Sequence, residues 1–161
     1  MQRLRADHAA AVLDFELANR AYFAESISDR GDEYYRDFAR RHAALLAEQE
    51  RGGCAFYVLV EEGGEIVGRF NLYDLAHGAA VLGYRVAQRV ASRGVATSAL
   101  RDLCRIARDD HGLRTLRAAT STANVASRHV LEKAGFVHTG AAAPSELGGR
   151  EGAWYELALG R

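Results

Sequence analysis

β-rich sequence runs as far as Val86, helical spacing takes over at Gly94, and strand-like sequence returns beyond Gly112. Within the helical stretch Val95, Ala99, Leu103 and Ile106 fall on one face, with Ala96, Leu100 and Ala107 beside them. A helix with one apolar face, set between strands, has to cover a sheet. The rest of the chain agrees. A strand is expected near residues 2–5, followed by two helical stretches. The first is marked by Leu13, Leu17 and Ala21, the second, less regularly, by Tyr34, Phe38, Ala44 and Leu45. Strands are predicted over 55–60, 66–72 and 78–86, joined by short turns and therefore antiparallel. After the helix over 94–110 come a strand over 113–121 and a helix over 124–134, which Gly135 closes as a left-handed cap. Short strands over 136–139 and 154–159 complete the order β-α-α-β-β-β-α-β-α-β-β. The fold class is α/β.

With 161 residues, 48% apolar and 26% charged, the chain has the length and composition of one soluble domain spanning 1–161. No run approaches the roughly 20 apolar residues of a membrane helix, and residues 1–8 have no signal-peptide core. A cytoplasmic protein is expected, with no membrane partner. Basic and acidic residues balance at 21 each, which argues against a nucleic-acid partner. Cys54 and Cys104 fit no zinc spacing and read as inert thiols. Six histidines form no HExxH or related ligand set, so no metal is expected. No GxSxG elbow supports an acyl-serine hydrolase.

Residues 89–97 (RVASRGVAT) join a strand to a helix through a turn of small residues. A helix start leaves backbone N–H groups unpaired and carries partial positive charge. Gly94 lets an anion approach the backbone, and Arg89 and Arg93 can add charge-assisted contacts. The expected ligand is an anion, most simply a pyrophosphate. The run is neither a Walker P-loop nor a GxGxxG fingerprint. About 30 residues on lies 124–136 (NVASRHVLEKAGF), where Asn124 suits an N-cap and Ser127 stands at the third helical position.

Taken together, these two elements resemble the GNAT superfamily of acyl-CoA-dependent N-acetyltransferases, over about residues 81–140. Ala91-Ser-Arg-Gly94-Val-Ala96 stands where the family has Q/R-x-x-G-x-G/A, and departs at its first position. The Gly94-Val-Ala-Thr form and the Asn-x-x-Ser…Glu-Lys-x-Gly-Phe string look like the branch that acetylates the N-termini of ribosomal proteins. The resemblance implies a GNAT fold, a mixed and largely antiparallel sheet with helices on both faces. It implies acetyl-CoA as co-substrate, its diphosphate held by the loop of Arg89, Arg93, Gly94, Val95, Ala96 and Thr97. It implies main-chain pairing of the pantetheine arm with Tyr84, Arg85 and Val86, a contact from Asn124, and Ser127 near the sulfur.

Many relatives carry a tyrosine acid where this chain has Leu131, so that role passes to Ser127. Glu146 falls in the loop where members of that branch can carry a general base, with Glu25 in the polar link of residues 24–31 as fallback. The implied reaction moves an acetyl group directly to a primary amine, either a peptide N-terminal α-amine or a small molecule. The alternatives are a non-catalytic acyl-CoA binding or sensing module, which the missing tyrosine favours, and a transferase for a longer acyl group. A homodimer stays open.

Overall fold

The computed structural model describes residues 1–160. Seven strands form one sheet in the order β1-β2-β3-β4-β5-β7-β6. They are β1 (Gln2–Arg3), β2 (Ala55–Val60), β3 (Ile66–Ala76), β4 (Ala79–Val86), β5 (Thr115–Ser121), β6 (Val137–Ala142) and β7 (Gly152–Ala158). Every neighbouring pair is antiparallel except β4 and β5. The helices are α1 (Ala9–Ala18), α2 (Arg20–Ala24), α3 (Asp32–Arg36), α4 (Phe38–Glu50), α5 (Val95–Asp109) and α6 (Val125–Lys133). This is the mixed α/β sheet expected from the sequence.

The two-residue period of the strands sorts side chains into two cores. Ala55, Tyr57, Phe70 and Leu72 face α5, meeting Ala99, Leu100 and Leu103, with Leu131 of α6. Phe56, Val58 and Val67 face the other way, onto Val12, Phe15, Phe23 and Phe38 of α1, α2 and α4. Helices therefore cover both faces.

Each of the two expected N-terminal helical stretches is broken in the structure. The first breaks at Asn19, whose Nδ2 donates to the Phe15 carbonyl at 2.9 Å while its Oδ1 accepts the Gln88 N–H at 2.9 Å. That buried amide ties the helix end to the segment after β4. The second breaks at Asp37, where the backbone leaves helical geometry at ψ 17°. β3 runs to Ala76, past the expected end at Leu72. An irregularity at Tyr73–Ala76, with Asp74 at φ 53°, lets pairing continue to a tight turn at His77 (φ 53°) and Gly78 (φ 78°).

Candidate active site

β4 and β5 pair only where Ala79, Ala80 and Val81 meet Thr115, Leu116 and Arg117. Beyond that point β4 continues to Val86 and β5 to Ser121 without touching, so the middle of the sheet is split. The phase of β4 follows from two bonds. The Thr115 N–H donates to the Gly78 carbonyl, and the Ala87 N–H donates to the Val67 carbonyl. Even-numbered residues of β4 therefore turn their backbone groups toward β5. The N–H groups of Tyr84 and Val86 point into the split with no strand to receive them, and Arg85 pairs instead with Arg69 of β3. A cavity of about 400 Å³ fills the split, lined on one side by Tyr84, Asn124, Ser127 and Leu131 and on the other by Arg69, Arg85 and the loop after α2.

The turn into α5 lies at one end of β4. Ser92 (φ 59°) and Gly94 (φ 77°) both take the left-handed conformation, and Gly94 caps the helix. Alternation of this kind gathers successive N–H groups into an anion-binding concavity. The backbone N–H groups of residues 92–97, Arg93, Gly94, Val95, Ala96 and Thr97 among them, have no hydrogen-bond acceptor among the described residues. Nothing lies within 4 Å of where a Cβ on Gly94 would stand, so the concavity is open. Arg93 is exposed beside it and meets no carboxylate among the described residues. Arg89 is engaged elsewhere: its guanidinium forks onto Glu61 at 2.7 Å and Glu65 at 2.8 Å, in the turn between β2 and β3. The pair is half exposed, so its hold on Arg89 is weak.

Asn124 caps α6 as its position suggests, its Oδ1 accepting the Ser127 N–H at 3.1 Å. Ser127 Oγ lies 3.2 Å from the Tyr84 hydroxyl, and the Tyr84 ring is stacked on Phe70 with centroids 5.6 Å apart. Burial pushes the Tyr84 phenol up to about 12, against a smaller opposing effect of the Ser127 contact. Leu131 is a buried core side chain that also walls the cavity. The Tyr84 hydroxyl was not legible in the sequence, because the family motif uses only the main chain there.

Glu146 lines the cavity from the turn after β6. Its Oε2 accepts the Ala143 N–H at 2.8 Å and the Trp154 Nε1–H at 3.2 Å, leaving Oε1 open. Glu25 ends α2 and does not line the cavity, although Ser26, Ser28 and Arg30 of the same loop do. Gly148 closes against that loop, for a Cβ on it would stand 2.9 Å from Ser28 Oγ.

Under this end of the cavity lies an ion network that sequence reasoning missed. Glu16, fully buried in α1, accepts from Arg69 Nη1 at 2.8 Å and Arg85 Nη1 at 3.2 Å. The available signal was a lone arginine in the apolar run around Phe70, where alternation demands an inward side chain. Among the described residues no three His, Cys, Asp or Glu side chains gather to hold a metal. No helix of the described residues is long and apolar enough to cross a membrane. Burial pushes the Cys104 thiol up to about 11, as suits an inert thiol.

A family model described as an acetyltransferase (GNAT) domain matches residues 1–137, stopping short of Glu146. No curated protein matches the chain by sequence. Among solved structures, ribosomal-protein-S5-alanine acetyltransferase from Vibrio fischeri is similar at TM-score 0.89 and 17% identity, over 98% of this chain and 91% of that one. Mycobacterium smegmatis RimJ, solved with a CoA-disulfide, is similar at TM-score 0.84 and 25% identity, over 96% and 79%. A spermidine N-acetyltransferase from Vibrio cholerae is similar at TM-score 0.78 and 13% identity, over 98% and 94%.

Proposed function

The chain belongs to the GNAT acetyltransferase family, and from that premise we propose that residues 1–161 work as one domain moving acetyl from acetyl-CoA to a primary α-amine. The observation that carries this reading is two sets of unpaired backbone donors, one at Tyr84 and Val86 in the split and one at residues 92–97 at the start of α5. A diphosphate fits the second group, which Arg93 supplements and Arg89 can join by leaving an exposed ion pair. An extended amide-bearing arm fits the first, as an added strand would. Asn124 has an Nδ2 free to donate to that arm.

The amine nitrogen attacks the thioester carbon, and the carbonyl oxygen gains negative charge facing the Val86 N–H. The C–S bond then breaks and the sulfur leaves as thiolate. Tyr84 cannot act as a strong acid here. Moving its proton, held at about 12, onto a thiolate of ordinary pKa near 8.5 would cost about 5 kcal/mol. Instead the Tyr84–Ser127 pair donates a hydrogen bond to the departing sulfur. Glu146 takes the amine proton through Oε1, directly or by way of water. Positioning two reactants in one cavity supplies much of the remaining acceleration.

The acceptor follows from protonation arithmetic. An α-amine with pKa near 7.7–8.0 is roughly a tenth neutral at pH 7, whereas a lysine amine near 10.4 is neutral less than about 0.1% of the time. A site with one exposed carboxylate as base suits the former. The Vibrio fischeri neighbour, described as acting on a ribosomal-protein alanine, points the same way. The test compares short peptides bearing a free N-terminus with the same peptides blocked there and carrying lysine. Faster turnover of the free N-termini is expected; preference for the blocked lysine peptides overturns the α-amine reading.

A further inference from the structure

We propose that the acceptor amine also carries an oxyanion, a carboxylate or a phosphate, held by Arg85, Arg69 and Arg30 at the end of the cavity away from Ser127. This rests on the N-acetyltransferase reading and narrows its acceptor.

Four arginines line the cavity, Arg30, Arg69, Arg85 and Arg150, against a single carboxylate, Glu146, whose Oε2 already receives two donors. Behind the wall one buried carboxylate, Glu16, divides its oxygens between Arg69 and Arg85. One negative charge thus faces two guanidiniums, with Arg30 above them over the Tyr34 ring at 4.6 Å. Arg85 shows the imbalance. Its pKa is lowered, first by burial and further by the positive charges of Arg30 and Arg69, in spite of Glu16. Its Nη2 and Nε meet no acceptor among the described residues. A guanidinium offers a planar fork that matches carboxylate and phosphate oxygens. An anion bound there would relieve a partly buried cation that the protein leaves under-compensated.

The same cavity holds the complementary need. Asn71 Oδ1 and Ser121 Oγ are buried in its lining and have no hydrogen-bond partner. Buried oxygens without partners are rare and call for a donor. An amine N–H supplies one. The pocket therefore asks for an anion and an N–H donor on the same small group, and it repels a polycation.

The experiment uses the full chain with acetyl-CoA and three matched pairs: glycine and glycinamide, O-phosphoethanolamine and ethanolamine, and amidated Ala-Asp and Ala-Asn. Spermidine is the cationic control, and rates are expressed per neutral amine. The anionic member of at least one pair is expected to lead its partner by tenfold or more in kcat/KM. Which pair responds tells carboxylate from phosphate. The lead should fall to within about twofold in Arg85→Gln. Arg30→Gln, an exposed substitution that leaves the Glu16 network intact, should reduce it several-fold. Equal rates within every pair, or spermidine outrunning all anionic amines, overturn the charge inference and leave acetyl transfer standing. If no amine is acetylated, the transferase reading falls, and ligand-observed NMR binding of the same pairs decides the charge inference alone. Anion-dependent binding that weakens in Arg30→Gln supports it; indifference to charge overturns it.

Discussion

Tyr84 belongs to an apolar strand and stacks on Phe70, yet its hydroxyl meets Ser127 on one wall of the cavity. If the pair steadies the leaving sulfur, Ser127→Ala lowers kcat by about tenfold and changes acetyl-CoA affinity much less, which steady-state rates beside calorimetry will show. Burial of that phenol has a consequence for stability. The buried phenol holds its proton to about 12, while the unfolded chain releases it near 10. Its contribution is therefore whole below pH 10 and is lost between about pH 10 and 12, a decline of between about 2 and 3 kcal/mol. Burial also raises the Cys104 thiol and the Tyr57 phenol, so denaturant titrations should show a decline in both proteins, smaller by about that amount in Tyr84→Phe. At the other end of the site, Gly94 combines φ 77° with open space. Gly94→Val strains that turn and places a branched side chain in the concavity, so acetyl-CoA affinity should fall at least tenfold, about 1.4 kcal/mol. A folded Gly94→Val protein of near-wild-type affinity would remove the loop from the site. If Glu146 takes the amine proton, Glu146→Gln, which keeps an oxygen for Ala143 and Trp154, should lower kcat by about tenfold or more with acetyl-CoA binding intact.

Elements with a strong local signal were legible in the sequence. The apolar face and the start of α5 at Gly94, the cap at Asn124, and the β2–β3–β4 hairpins stand where expected, apart from the four-residue extension of β3 to Ala76. The N-terminal helices were less so: the break at Asn19 answers to a tertiary partner, and Asp37, at the second break, meets only Arg40 and Arg41 of the following turn among the described residues. Asn19 reaches Gln88, 69 residues away, and no local pattern reports such a bond. The same distance hid Glu16, which reads as one more polar residue of a helix until β3 and β4 bring Arg69 and Arg85 onto it. Removing that carboxylate leaves guanidiniums facing each other beneath the cavity. Glu16→Gln is expected to cost about 3–5 kcal/mol, measured by chemical denaturation. A loss under 1 kcal/mol would mean that water already screens the network.

Across the whole molecule, one departure from regular pairing makes the site. Had β4 and β5 stayed in register beyond Val81, the N–H groups of Tyr84 and Val86 would be tied into the sheet and no cavity would cross it. The anion-binding turn at the start of α5 was legible because its loop motif and the helix start are contiguous in sequence. At the arginine end of the cavity only Glu146 was legible, because Arg30, Arg69, Arg85 and Ser121 gather there from separate elements. The central claim is that these two ends exchange an acetyl group, and the most direct test follows free thiol while acetyl-CoA is mixed with the protein and a panel of α-amines. Thiol release is expected to depend on both protein and amine, to saturate in each, and to be matched mole for mole by acetylated amine. Thiol release no faster with any amine than with acetyl-CoA and protein alone would contradict that claim.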